Sequence, residues 1–150
     1  MLFRSLDDVI VGSLSIKRNV VEKDERETSL RRVLNFGHTV GHAFEKAGRY
    51  ETWTHGQAVA AGMNRAAELG VAAGVTPAEV AAPIADLIEK FGLPGHIPCP
   101  WDTVTEAVGL DKKRAGDDIT MIFLSRLGKA APTKLKKDEL LALLHPVFGA

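Results

Sequence analysis

The residues of this chain best suited to chemistry are three histidines that lie close together in the sequence. His38 and His42 are four residues apart and His55 follows, so three of the five histidines fall within 18 residues. Histidines four apart on a helix share one face, with roughly 5–6 Å between their Cβ atoms. A third imidazole from the start of a separate element would complete the kind of convergent set that holds a catalytic zinc ion. The cluster favours a metal or catalytic site over hydrogen-bonded packing, the other role open to such histidines.

The neighbours of the histidines strengthen this interpretation. Asn35 precedes the pair, and Gly37 and Gly41 flank His38. Because a glycine inside a helix costs roughly 1 kcal/mol relative to alanine, Gly41 predicts close approach of another backbone or a ligand. His55, at a predicted helix start, feels the positive end of the helix dipole, which favours the neutral imidazole that binds metal.

The elements that must position these residues are mostly helical. Hydrophobic periodicity, capping residues and turn residues mark the bounds of each element. The predicted helices cover 6–25 (capped by Ser5), 37–46, 55–69 (capped by Thr54, closed by Gly70), 77–91 (capped by Thr76), 103–108 and 139–145 (capped by Asp138), with hairpin strands at 119–124 and 129–135. The fold class is therefore mainly α, a single multi-helical domain over 1–150 with one small β-hairpin.

The first predicted helix carries an apolar stripe, which predicts a face buried against other protein. Lys17 lies within this stripe, so it either snorkels to the edge or points into a polar site. The polar run 24–29 that follows, taken alone, predicts a solvated turn.

Composition excludes several classes of protein. Lys+Arg and Asp+Glu both number 19 in 150 residues, so no basic field favours nucleic acid or a membrane surface. The single cysteine, Cys99, cannot form an internal disulfide and is expected to be an inert loop thiol. With no apolar run long enough to span a bilayer, a cytoplasmic protein is expected.

Two segments carry a family resemblance. The segment 31–45 (RRVLNFGHTVGHAFE) and the segment 55–63 (HGQAVAAGM) closely resemble 3-dehydroquinate synthase, and the flanking residues agree over nearly the whole chain. The match is to the helical C-terminal half of that enzyme only. The resemblance therefore implies the multi-helical C-terminal domain of the dehydroquinate synthase-like fold, with the family's NAD-binding, Rossmann-like N-terminal domain missing from this sequence.

The resemblance also implies roles for the histidines. His38 and His55 would be two of three ligands to zinc (or cobalt), and the third, a glutamate, would belong to the segment before this chain begins. His42 would contact the substrate phosphate and take part in proton transfer, with Glu27 as its acidic partner. NAD would be bound mainly by the absent domain.

Four further residues would bind substrate by the same resemblance. Lys17 and Arg31 would hold a carboxylate, which suits the planar fork of a guanidinium. Asn35 and Lys112 would reach toward the phosphate.

The implied reaction converts 3-deoxy-D-arabino-heptulosonate 7-phosphate to 3-dehydroquinate plus phosphate. It belongs to the shikimate pathway, which leads to chorismate and the aromatic amino acids, and the enzyme is formally a carbon–oxygen lyase. We expect the full enzyme to be a homodimer, and this chain alone to be inactive.

Three alternatives stay open at this point. The first is a related sugar phosphate cyclase, of the inosose or valiolone synthase type, against which Arg31 and Lys17 argue weakly because a carboxylate-binding pair suits a sugar acid. A non-catalytic zinc-binding or interaction module is possible from sequence, and a glycerol-type dehydrogenase fits the run around His38 poorly. Gln57 stands where the family commonly has glutamate, which predicts modest retuning near His55.

Overall fold

The computed structural model describes residues 5–27, 29–115 and 118–149, with the side chains of 110–115 left out of the description. The chain divides into two compact units, Met1–Leu34 and Asn35–Ala150. A six-residue 3₁₀-helix, Leu30–Asn35, runs across the division.

The first unit is built on α1, Leu6–Lys23. The predicted cap is confirmed, because the Ser5 side chain accepts a hydrogen bond from the Asp8 backbone N–H at 3.2 Å. The prediction of a buried stripe was wrong: none of the residues of α1 is buried, and Leu6 and Leu14 are 71% and 61% exposed. Lys17 is likewise exposed.

The second unit contains the remaining helices and the hairpin. These elements are α2 His38–Ala47, α3 His55–Ala72, α4 Ala78–Lys90, α5 Trp101–Ala115, β1 Asp118–Arg126, β2 Lys129–Lys136 and α6 Lys137–Phe148. The strands pair antiparallel with Ile119 opposite Leu135. The mainly α architecture with one small hairpin is thus confirmed. No helix among the described residues is both long enough and apolar enough to cross a membrane.

The core of the second unit lies between α2, α3 and the inner face of the hairpin. Phe44 of α2, Leu69 of α3 and Phe123 of β1 are each no more than 1% exposed. Leu140 and Leu144, on the inner face of α6, close the same cluster. β1 is buried because helices cover it, whereas β2 is an exposed edge strand.

Several predicted helix ends were wrong for identifiable reasons. α3 continues past Gly70 to Ala72, since Gly70 serves close packing: a Cβ there would lie 2.8 Å from the Thr76 Cβ. Thr76 does not cap α4. It is buried, and its hydroxyl accepts a hydrogen bond from the Leu124 N–H at 3.3 Å, tying the start of α4 to β1.

The last two helices also differ from the prediction. α6 begins at Lys137, with Asp138 inside its first turn, and the Glu139 carboxylate accepts from the Lys136 N–H at 2.7 Å. α5 is longer than the predicted 103–108, beginning at Trp101 and ending at Ala115.

Three glycines allow the first turn of α2 to lie against the backbone of α3. Gly37, the N-cap of α2, has a φ of 82°, a left-handed conformation that other residues rarely adopt. A Cβ on Gly62 of α3 would overlap the Gly37 carbonyl oxygen and lie 2.8 Å from the Gly41 nitrogen. A Cβ on Gly41 would meet the Ala58 carbonyl at 3.2 Å, so the predicted backbone approach at Gly41 is confirmed.

This contact predicts opposite outcomes for alanine at two glycines of one helix. Gly62→Ala should lower the free energy of unfolding by about 1–3 kcal/mol or more, because the added methyl group meets rigid backbone. Gly56→Ala, where no atom lies within 4 Å of the added carbon, should leave stability unchanged or raise it by up to about 1 kcal/mol through helix propensity. Urea denaturation followed by circular dichroism measures both. Equal effects at the two positions would contradict close packing at Gly62.

Candidate functional site

α2 presents three polar side chains on one face. His38 is its first residue, His42 lies one turn later and Glu45 lies at the seventh position after His38, a spacing that keeps all three in register on a helix. The His38 and His42 rings meet edge to face with centroids 5.9 Å apart. His38 is half-buried, whereas the His42 ring is exposed.

α3 brings the third histidine to the same place. His55 is the first residue of α3, and its ring centroid lies 5.4 Å from that of His38. This approach is possible because the first turn of α2 lies against the backbone of α3. The three histidines predicted to converge are therefore brought together, with His38 between the other two.

In both His38 and His55, the hydrogen bond uses Nδ1 and leaves Nε2 available. His38 Nδ1 lies 3.4 Å from the Phe36 carbonyl oxygen, and His55 Nδ1 lies 3.0 Å from Glu45 Oε1. Both partners are acceptors, so each Nδ1 carries the hydrogen and donates it. Each Nε2 then keeps a lone pair, the group that a metal ion binds.

Burial also favours the metal-binding form of the His38 ring. The pKa of His38 lies below its ordinary value of 6.5, chiefly because burial disfavours the charged imidazolium. The hydrogen bond to Phe36 opposes this change, while neighbouring His55 and His42 lower the pKa further. A neutral imidazole at neutral pH is the form that binds metal.

The separation of His38 and His55 fits one shared metal ion. Zinc–nitrogen bonds are 2.0–2.1 Å and tetrahedral angles separate two ligating rings by about 5 Å between centroids, close to the 5.4 Å found here. Among the described residues, however, no group of three histidine, cysteine, aspartate or glutamate side chains could hold a metal ion. These residues thus supply two imidazole ligands and an acidic neighbour to one of them.

The single cysteine stands apart from this chemistry. Burial raises the pKa of the Cys99 thiol to about 11, and its Sγ lies 3.6 Å from the Ala43 carbonyl, a hydrogen bond that the thiol donates. A thiol held protonated is a poor nucleophile and a poor metal ligand, in agreement with the inert loop thiol predicted.

In the first unit, a buried carboxylate organises the segment that carries Glu27 and Arg31. Asp24 is 8% exposed, and its Oδ2 accepts hydrogen bonds from the backbone N–H groups of Ser29 at 2.7 Å and Arg31 at 2.9 Å. A solvated turn was predicted for 24–29, but residues 24–27 and 29–31, which we call the clasp, are ordered around Asp24. Thr28 lies outside the described residues.

Glu27 and Arg31 lie side by side on this clasp. Arg31 Nε is 3.9 Å from Glu27 Oε2, and Arg31 Nη1 donates to the Glu25 carbonyl at 2.8 Å. Glu27 itself has a φ of 55°, an uncommon conformation for a residue with a side chain, which is often found where function requires it. The clasp therefore holds the Glu27 carboxylate next to the Arg31 guanidinium.

Three further residues were predicted to bind substrate. Lys17 and Asn35 are both exposed, the latter at the end of the 3₁₀-helix. Lys112 lies within α5, and its side chain is outside the part of the chain that the structure describes.

The departure at Gln57 has a structural explanation. Gln57 Oε1 accepts from the Thr54 N–H at 3.0 Å while Thr54 Oγ1 accepts from the Gln57 N–H at 3.3 Å, which completes a capping box. Glutamine and glutamate serve equally in this motif. The start of α3, and with it His55, is therefore preserved, and the predicted cap at Thr54 is confirmed.

Sequence reasoning missed two residues of these clusters. Glu45 could have been found, because its spacing from His38 and His42 places it on the same helical face. Asp24 offered a weaker signal, since an aspartate just after a helix often hydrogen-bonds nearby backbone N–H groups.

Solved structures define the class of protein. A structure of 2-deoxy-scyllo-inosose synthase complexed with carbaglucose-6-phosphate, NAD+ and Co2+ matches with a TM-score of 0.79 and 28% identity, over 94% of this chain and 42% of the other. The 2-epi-5-epi-valiolone synthase ValA of Streptomyces hygroscopicus subsp. jinggangensis shares the fold, with a TM-score of 0.75 and 22% identity over 95% of this chain and 41% of the other. The fold is that of one part of the sugar phosphate cyclases.

Sequence comparison then gives the family. Residues 3–114 match the model of the 3-dehydroquinate synthase C-terminal domain, so the chain belongs to that family. The 3-dehydroquinate synthase of Thermoanaerobacter pseudethanolicus is 40% identical over 93% of this chain and 39% of its own length. That of Streptomyces coelicolor is 42% identical over 91% of this chain and 37% of its own length. The chain thus spans about two fifths of the curated relatives that it matches.

The clasp gives a prediction about local stability. Asp24→Ala removes the acceptor of two backbone N–H groups, at a cost of about 1–3 kcal/mol. Amide exchange at Ser29 and Arg31, followed by NMR, should therefore become roughly ten- to hundredfold faster, since about 1.4 kcal/mol corresponds to tenfold. Glu25→Ala, at the exposed neighbouring position, is the matched control and should leave both rates unchanged. Similar rates in the two variants would contradict the clasp.

Proposed function

We propose that this chain is the metal- and substrate-binding part of a 3-dehydroquinate synthase. The complete enzyme would convert 3-deoxy-D-arabino-heptulosonate 7-phosphate to 3-dehydroquinate and phosphate. The observation that carries the proposal is the pairing of His38 and His55, each with Nδ1 bound to an oxygen acceptor and Nε2 available. Membership of the 3-dehydroquinate synthase C-terminal family supports the choice of reaction.

His38 and His55 would hold the metal ion, and zinc or cobalt suits two imidazoles and one carboxylate. The carboxylate, by resemblance to the family, would be a glutamate from sequence that precedes this chain in the complete enzyme. When bound, the metal would polarise the substrate hydroxyl group that is oxidised, with NAD as the hydride acceptor. NAD would be bound mainly by that preceding sequence.

The side chains of this domain would bind and orient the substrate. The Arg31 guanidinium, with one edge occupied by the Glu25 carbonyl, would hold the substrate carboxylate with Lys17. Asn35 and Lys112 would contact the phosphate, for which an ammonium is a suitable point charge.

Proton movement falls to His42 and Glu27. The His42 ring is exposed, an imidazole can both accept and donate a proton, and we assign it to the phosphate end of the substrate. Glu27, beside Arg31, would be its acidic partner. The expected cycle is oxidation, loss of phosphate, re-reduction, ring opening and intramolecular aldol closure, so that NAD is regenerated and the enzyme is formally a lyase. A homodimer remains our proposal for the complete enzyme.

A second candidate function is a cyclase that acts on a neutral sugar phosphate. The structural similarity to 2-deoxy-scyllo-inosose synthase favours it. The two functions differ in what they ask of Arg31 and Lys17, because only a sugar acid offers a carboxylate to these cations.

The ligand assignment predicts which histidines matter for zinc. In zinc titrations of this chain, with competition by a chromophoric chelator, His38→Ala and His55→Ala should each weaken binding at least about tenfold, because each removes one of two ligands. His42→Ala should leave zinc affinity unchanged, as should His96→Ala as a control outside the cluster. If His42→Ala weakens zinc binding and His55→Ala does not, the ligands are the two histidines of α2.

The substrate assignment predicts the effect of losing the guanidinium. The enzyme is rebuilt by fusing this chain to the N-terminal part of the Thermoanaerobacter relative. Arg31→Ala should then lower kcat/KM for the sugar acid phosphate roughly ten- to hundredfold, since a charged hydrogen-bonded pair contributes about 1.5–3 kcal/mol. Arg31→Lys should recover only part, because the planar fork is lost. Lys17→Ala should resemble Arg31→Ala.

Arg18→Ala is the matched control, since Arg18 is exposed and pairs with Glu22 along α1. It should not change kcat/KM. If Arg31→Ala and Lys17→Ala both stay within about twofold of the parent, a cyclase for a neutral sugar phosphate becomes the better proposal. Turnover by this chain without the fused part would contradict the need for the preceding sequence.

A further inference from the structure

Glu45 contacts His55 in a way that the assigned roles do not explain. Its carboxylate oxygen Oε1 lies 3.0 Å from His55 Nδ1, across the contact between α2 and α3. The Glu45 side chain is 13% exposed, whereas the His55 side chain is 59% exposed. The acid is thus held in place by its surroundings, and the ring is held mainly by the acid.

The two candidate ligands are fixed by different means. His38 is half-buried in the start of α2, so packing limits its ring. His55 is the first residue of α3 and exposed, and among the described residues the only hydrogen bond of its ring is to Glu45. Without this bond, the ring could rotate and exchange its hydrogen between Nδ1 and Nε2.

Stability alone gives a poor account of this contact. An ion pair or hydrogen bond at an exposed histidine contributes little to folding. The same contact has a large effect on ligand geometry, because an acceptor at Nδ1 decides which nitrogen keeps its lone pair and where that lone pair points. Glu45 also lies on the same helix as His38, so one rigid element would set both imidazoles.

We propose that Glu45 is a positioning residue for metal binding, which holds the His55 ring in the Nδ1–H tautomer with Nε2 directed to the metal ion. This rests on the proposed role of His55 as a ligand. The tautomer itself is a property of the metal-free chain and can be tested without zinc.

The first test measures that tautomer by NMR of the metal-free chain with ¹⁵N-labelled histidine. In the parent, the neutral His55 ring should show a protonated Nδ1 and an unprotonated Nε2. Glu45→Ala should move His55 toward the Nε2–H tautomer that free histidine favours. Glu45→Gln keeps an oxygen acceptor at the same place and should retain the Nδ1–H tautomer.

Glu106→Gln is the matched control, because Glu106 is also a carboxylate paired with α2 but bonds Lys46 rather than a histidine. It should leave the His55 spectrum unchanged. An Nε2–H tautomer in the parent, or no change in Glu45→Ala, would overturn the proposal.

The second test measures zinc affinity in the same variants. Loss of an outer partner of a metal-bound histidine typically weakens binding 10–100-fold, and Glu45→Ala should fall in this range. Glu45→Gln should lose less, and Glu106→Gln nothing. Zinc bound through His38 and His55 with equal affinity in the parent and Glu45→Ala would overturn the role of Glu45 while leaving the proposed function intact. Absence of zinc binding through these histidines in the parent would instead overturn the proposed function, whatever the tautomer of His55.

Discussion

The start of α2 lies against the backbone of α3, and the candidate metal ligands depend on this contact. Side chains at Gly37, Gly41 and Gly62 would each meet backbone of the opposite helix. Ordinary helix pairs are 8–10 Å apart because side chains separate them, but here backbone meets backbone. His38 and His55 each begin one of these helices, so their rings approach to 5.4 Å. The three glycines therefore contribute to the candidate metal site indirectly, because they allow the two helices, and with them His38 and His55, to lie close together.

The first unit uses a different device for its charged residues. Glu27 and Arg31 lie beyond the end of α1 and do not share one α-helical face: Glu27 precedes the 3₁₀-helix and Arg31 lies within it. The buried Asp24 carboxylate links the two by accepting hydrogen bonds from the backbone N–H groups of Ser29 and Arg31. Glu27, with its φ of 55°, adopts a left-handed conformation within this segment.

Much of the fold and of the histidine cluster could be predicted because the signals are local. Ser5 and Thr54 cap their helices as expected, and the spacing of His38 and His42 is that of one helical face. The errors fall where distant residues decide the outcome. Thr76 resembles a helix cap in sequence, but its hydroxyl bonds Leu124, 48 residues away.

The same reasoning explains the remaining differences. The apolar stripe of α1 predicts burial, yet periodicity does not supply a covering surface, and Leu6 and Leu14 are exposed. The contact of Glu45 with His55 joins residues on separate helices. It could be suspected from the spacing on α2, but it depends on how α2 meets α3.

The protonated thiol of Cys99 has a practical consequence for metal measurements on this chain. Because burial raises its pKa to about 11, Cys99 is mainly the neutral thiol at neutral pH, and alkylation and air oxidation both proceed through the thiolate. Thiol reductants, which chelate zinc and distort its titrations, can therefore be left out of the buffer. Since zinc binds the thiolate form of cysteine, the raised pKa of Cys99 also disfavours this side chain as a ligand relative to the imidazole nitrogens.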